Sequence, residues 1–195
     1  MNSIRQKLIA AFLTAGIGAS GAFVAYDLTL PSEGLEQKVY IDPVGLPTVC
    51  VGHMDKALKL GQTFTIEQCM NMFAKDWKKH QKQLDSVVKV PYKSEWQREA
   101  LTDFTFNLGI GHVKSSTLLK LVNQGRHKEA CEQLTRWVYA GGKKLGGLVK
   151  RRDKTMPYCL GELTPEKQED YRQFLELYNE MASKNEATRR LEKDS

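Results

Sequence analysis

The sequence predicts an α+β fold of two lobes, a small β-hairpin lobe and a larger, mainly helical lobe, joined by a long helix. Three observations predict it. Val39-Tyr40-Ile41 alternates as a short strand, Asp42-Pro43 with Gly45 supplies turn chemistry, and Thr48-Val49-Cys50-Val51 reads as the returning strand. Thr65-Ile66-Glu67-Gln68 has the form of a capping box and opens a helix through Cys69, Met72, Phe73 and Trp77 toward Val88, apolar at three- and four-residue spacing. Beyond the break at Val90-Pro91-Tyr92 the pattern stays helical to the charged C-terminus. A chain of 195 residues with 41% apolar content can bury the core of one domain of ordinary size.

The N-terminus carries a different message. After Arg5 and Lys7, Leu8 to Tyr26 is an uncharged run of nineteen residues, about the minimum that spans a bilayer as a helix. Its positive flank precedes it, which places everything after Asp27 outside the cytoplasm. Eleven of the nineteen are Ala, Gly, Ser or Thr, and Gly16, Gly18 and Gly21 lower helix propensity further, so a membrane would hold this segment weakly. A buried core helix is the plainer alternative, disfavoured by the flanking charges and the terminal position. A cleaved signal peptide is another, with a processing site at Ala19-Ser20-Gly21 or Ala22.

Glu33 precedes the hairpin, while Asp42 and Thr48 sit on it. Two carboxylates across a cleft suit glycosidic bond cleavage, one protonating the leaving oxygen and the other activating water or attacking the sugar. Spacing alone reads as two solvated side chains. The neighbourhood says more: Glu33-Gly34-Leu35, then Tyr40-x-Asp42-x-x-Gly45-x-x-Thr48-x-x-x-Gly52-His53. In this Glu-x8-Asp-x5-Thr signature the chain resembles glycoside hydrolase family 24, the lysozymes of T-even phages and the lambdoid endolysins.

The resemblance implies a lysozyme-like domain that cuts the β-1,4 bond between N-acetylmuramic acid and N-acetylglucosamine in peptidoglycan, with no cofactor and no metal. Glu33 is the expected general acid, keeping its proton through partial burial or the nearby acid. Asp42, with Thr48, is expected to position a water on the opposite sugar face. Inversion follows if the carboxyl groups stand about 6.5–9.5 Å apart, and retention if they are nearer 5 Å. For the N-terminus the resemblance implies a signal-arrest-release segment, a Gly/Ala-rich anchor extracted from the inner membrane without cleavage and favoured here over a cleaved signal. Only six residues, Asp27 to Ser32, separate the run from Glu33, a reach of about 20 Å. Tethering through residues 8–26 is therefore expected to restrain activity on the periplasmic side until release into the periplasm. Loss of the membrane potential is the expected trigger. The domain reading is 1–27 anchor, 28–183 lysozyme domain (28–64 acid and hairpin lobe, 65–89 linking helix, 90–183 helical lobe) and 184–195 charged tail.

Cys50, Cys69, Cys131 and Cys159 lie outside the anchor, in a part expected where disulfides persist. Three pairings are open; Cys50–Cys69 with Cys131–Cys159 is preferred because each closes a short loop within one lobe. None forms a C-x-x-C metal pair, and free buried thiols are the other alternative. Some related endolysins place a cysteine at the aspartate position and are caged through it. This chain has Asp42 there, so that caging does not carry over. A regular strand would put Cys50 on the face of Thr48.

The helical lobe begins with a block from Ser94 to Gly109, then a second capped by Ser115-Ser116-Thr117 and stopped by Gly125. F-N-L-G-I-G-H-V-K-S-S-T-L-L resembles the central helical part of the same lysozymes, which makes Asn107 a candidate sugar contact. A third block, Lys128 to Val138, leads into a glycine-rich loop and Lys150-Arg151-Arg152. W-V-Y-A-G-G-K-K-L-x-G-L-V-x-R-R also looks like a family motif. Arg151 or Arg152 could then pair with Glu33; a solvated basic turn is the alternative. Thr164 caps a last helix carrying Tyr171, Phe174 and Tyr178, and the tail from Lys184 is expected to fray.

A net charge of +6 attracts polyanions, among them nucleic acid, anionic lipid and the acidic wall. No zinc-finger, Walker or Rossmann spacing appears: Gly109-Ile110-Gly111 lacks the third glycine and the strand. A monomer with no nucleic-acid partner is expected. His53 reads as structural, fixed by a buried partner, and His112 and His127 fall outside metal-ligand spacing. Two rival functions stand beside hydrolysis: a lytic transglycosylase, which needs one catalytic acid, and a cationic protein that disrupts membrane or wall without catalysis.

Overall fold

A computed structural model describes residues 3–193. Ser3 and Gln6 cap each other reciprocally at the start of α1 (Ile4–Thr14). Gly16 then takes φ +65°, a conformation costly for any residue with a Cβ, and the chain bends into α2 (Ala19–Val24). α2 passes through a π-helical turn at Ala25–Thr29 into α3 (Leu30–Glu33), which ends at Gly34, φ +80°.

The N-terminal run is thus not one membrane-spanning rod. Among the described residues no helix is long and apolar enough to cross a membrane. Leu8, Ile9, Phe12, Ile17, Phe23 and Leu28 are instead buried in the same core as the rest of the chain. The physical reason is a supply of apolar cover. Phe12 lies 5.4 Å from Phe73 and 6.1 Å from Trp77, and Phe23 lies 5.3 Å from Phe174. The flanking cation Arg5 stays partly exposed, its guanidinium 5.0 Å from the Tyr26 ring. In this conformation the segment takes the core position that its charges and terminal place disfavoured, as two short helices and the start of a π-helical turn.

Three antiparallel strands follow in spatial order: β1 (Glu36–Ile41), β2 (Pro47–Cys50) and β3 (His53–Met54). Tyr40 pairs with Thr48 and Ile41 with Pro47, with a register shift between Glu36 and Tyr40. Thr48, Val49 and Cys50 are all buried and Cys50 takes φ +60°, so the alternation that would align Cys50 with Thr48 does not hold.

Thr65 and Gln68 close a capping box at the start of α4 (Ile66–Asp85), which buries Phe73, Trp77 and Leu84 and stops short of Val88. Ser94 caps α5 (Glu95–Leu108), and α6 (Ile110–Ser115) follows directly. Of the three candidate cap residues before α7 (Thr117–Asn123), Ser116 accepts from the backbone of Leu119. The third block is not one helix: α8 (His127–Glu132) tightens into a 3-10 turn at Gln133–Arg136. The glycine-rich loop is a hairpin, β4 (Tyr139–Ala140) and β5 (Lys143–Lys144), with Gly141 and Gly142 at φ +55° and +75°. α9 (Gly146–Leu160) and α10 (Pro165–Lys193) complete the chain. α10 continues past Lys184, where Lys184 pairs with Glu180 one turn back. Disulfides join Cys50 to Cys69 and Cys131 to Cys159, tying β2 to α4 and α8 to α9.

Candidate active site

Glu33 is the last residue of α3, set where the N-terminal helices hand over to the sheet. Its side chain is 24% exposed, and its Oε1 accepts from Arg151 Nη1 at 2.5 Å. Arg151, on α9, is almost wholly buried and donates through Nη2 to Asp103 Oδ1 at 2.6 Å. Asp103 is 0% exposed and also accepts from Thr29 Oγ1 at 2.8 Å. One guanidinium thus bridges two carboxylates. Burial alone would lower Arg151, but Asp103 and then Glu33 outweigh it and hold its charge more firmly than usual.

Arg152 faces another way. Its Nη2 donates to Asn107 Oδ1 at 2.5 Å and its Nε to the Trp137 carbonyl at 3.1 Å, with the guanidinium 5.0 Å from the Phe104 ring. Burial pulls it down to about 10. The two arginines are 5% and 1% exposed, so the solvated basic turn is overturned, and it is Arg151 that meets Glu33. Asn107 is occupied by Arg152, yet it lines a depression beside Glu33.

Two depressions share Glu33. One, of about 670 Å³, runs along β1 past Leu35, Val39, Tyr40 and Leu60; the other, of about 770 Å³, is walled by Pro31, Asn107, Leu145 and Lys154. An acid at their junction meets whatever spans both. Asp42 and Thr48 line neither. Asp42 closes the hairpin turn, its Oδ1 accepting from the backbone of Val44 at 2.9 Å and of Leu46 at 2.8 Å. Thr48 is buried, and its hydroxyl donates to the Leu46 carbonyl at 3.1 Å. Leu46 therefore links the two, its N–H to Asp42 and its carbonyl to Thr48.

His53 Nδ1 lies 2.7 Å from Asp76 Oδ2, and both side chains are about a quarter exposed. The partner is present but only half-buried, and it ties β3 to α4. Reading the sequence misses Asp103 and Thr29. A trace exists: Asp103 lies between Ala100 and Phe104 on the buried face of α5, where an unpaired acid would be costly. Among the described residues no cluster of His, Cys, Asp or Glu could hold a metal ion.

Residues 31–155 match the phage lysozyme family. The chain belongs to that family. The match opens two residues before Glu33 and closes four after Arg151, so this phage lysozyme family region contains the whole ion-paired site. A SAR-endolysin of Enterobacteria phage P21 is 42% identical over 76% of this chain and 93% of its own. An endolysin structure from Escherichia coli O157:H7 phage FAHEc1 has a TM-score of 0.62 at 30% identity, covering 71% of this chain and 92% of that one. The active form of P1 phage endolysin Lyz superposes with a TM-score of 0.69 over 85% of this chain and 98% of that one; at 21% identity it speaks to the fold alone. That fold is lysozyme-like.

Proposed function

We propose that the chain is an endolysin that lyses the host cell, a muramidase hydrolysing the β-1,4 bond between N-acetylmuramic acid and N-acetylglucosamine. The observation that carries this reading is the ion-paired acid at the junction of two depressions: Glu33, held by Arg151 on a buried Asp103. Glu33, once protonated, gives its proton to the leaving oxygen. Arg151 fixes the carboxyl in place while the sugar binds. Asp42 orients the attacking water, and Thr48 holds Asp42's loop through Leu46. The turn donors occupy Asp42 Oδ1, which leaves Oδ2 for that water. Inversion is the expected outcome, with Asp42 acting as base, provided the two carboxyl groups stand about 6.5–9.5 Å apart around the bound sugar. Asn107 and the wall of the second depression bind a neighbouring sugar.

Residues 8–26 enter the inner membrane first and are then released, uncut, into the periplasm. This is supported by the relatives named SAR-endolysins and by a segment apolar enough for lipid yet able to pack on Phe73, Trp77 and Phe174. While it is in the bilayer, Thr29 and Glu33 are drawn toward the headgroups, away from Asp103 and Arg151.

Mass spectrometry of digested peptidoglycan, with proton NMR of the fresh products, tests the reaction. Muropeptides ending in reducing N-acetylmuramic acid with the inverted anomer first are expected. 1,6-Anhydro products would mean a lytic transglycosylase, and the first anomer retained would mean attack by Asp42 itself.

A further inference from the structure

The polar groups under the bend of the N-terminal segment take no part in the chemistry above. Glu99, on α5, is 3% exposed, and Gln81 Nε2 of α4 donates to both its oxygens, at 2.9 and 3.1 Å. Gly21 of α2 lies directly on this carboxylate: a Cβ there would stand 3.0 Å from Oε2 and 2.7 Å from Ile17. The cover over Glu99 is therefore made in part by the segment itself. Around it the Gly16 carbonyl accepts from Lys78 Nζ at 3.0 Å, the Ile17 carbonyl accepts from the Tyr178 hydroxyl at 2.7 Å, and Ser20 Oγ donates to Glu95 at 3.1 Å. None of these bonds exists while residues 8–26 lie in a bilayer.

We propose that seating the segment on the folded domain takes up one proton, held by Glu99 beneath Gly21, so that acid favours release from the membrane. This deepens the tether-and-release reading and rests on it. Few charges face the site. Arg98 Nη1 on the same helix lies 3.3 Å away, Lys78 on α4 reaches Gln81 Oε1 at 3.2 Å, Asp85 ends α4, Tyr92 precedes α5, and Glu95, one turn back on α5, holds Ser20 of the segment. The segment brings no charge between Leu8 and Tyr26. Burial dominates and pushes the Glu99 carboxyl up to about 7, against Arg98 and Gln81, which favour the anion. With the segment in lipid, Glu99 loses the cover of Gly21 and Ile17, and the share of the upward push that this cover supplies goes with it. The seated state then binds the proton more tightly. Seating strengthens by up to about tenfold per pH unit as pH falls from about 7 toward 4.5, and is insensitive to pH above that range.

The test uses the full chain with vesicles of zwitterionic phosphatidylcholine and no membrane potential, reading the ratio of released to bound protein by flotation. For wild type the ratio should climb by up to about tenfold per unit between about pH 7 and 5. For Glu99→Gln, which keeps shape and hydrogen bonding but cannot ionise, it should be flat. A flat wild-type ratio, or an unchanged slope in the variant, overturns the proposal. Carbon NMR of the released wild type needs no variant: a Glu99 carboxyl titrating in the ordinary glutamate range also overturns it. If the protein binds vesicles at no pH, the tether reading falls and this proposal with it, whereas binding whose release ignores pH removes proton uptake alone.

Discussion

Glu33 keeps its geometry only because Arg151 is itself held from behind. Arg151→Leu strands a fully buried Asp103, and the expected cost is about 3–5 kcal/mol of stability, read from urea unfolding. At the hairpin, the Asp76 hydrogen bond raises His53 above its ordinary range, against burial, with the charge of Asp76 adding to it. A group raised in the native state stabilises fully below its unfolded pKa of about 6.5, and the effect fades as pH rises through the native value. Asp76→Asn should therefore cost about 1 kcal/mol near pH 6 and much less near pH 9, seen as converging melting temperatures. A gap that widens with pH would contradict the pairing. Glu33 stands out in the sequence because a hairpin of recognisable turn chemistry follows it. Asp103 does not, because an acid among Ala100, Leu101 and Phe104 declares its role only when Arg151, 48 residues on, arrives beside it.

Among the elements, α4 and the hairpin are the most legible. Thr65 and Gln68 announce the helix start, and Asp42-Pro43 with Gly45 announces the turn. The α8 region is less so: a 3-10 turn keeps the same apolar residues inward as an α-helix would, and what it changes is the Trp137 carbonyl, which goes to Arg152. The disulfides clamp elements on both sides of the site. Cys131–Cys159 closes 28 residues of chain between α8 and α9, the helix bearing Arg151. Replacing both cysteines by Ser is expected to remove about 2–4 kcal/mol, with a fall in melting temperature that reducing agent does not deepen beyond the loss of Cys50–Cys69.

At the scale of the whole molecule, the N-terminal segment is an internal part of the folded domain. A run of nineteen uncharged residues has the same composition whether lipid or Phe73, Trp77 and Phe174 cover it, which is why its length and flanks point to a membrane while its packing shows a core. Phe12→Ala should cost about 3–5 kcal/mol in the folded protein, measured by thermal or urea unfolding. Three residues beyond this segment, and four before Glu33, the Thr29 hydroxyl sits on Asp103. The seated segment thus runs directly into the acid–arginine–acid chain. The most direct measurement is the rate at which wild type and Glu33→Gln digest purified peptidoglycan, with both shown to be folded. A loss of about 100-fold or more in the variant is predicted. Digestion by Glu33→Gln at a rate close to wild type would contradict the role given to this carboxyl.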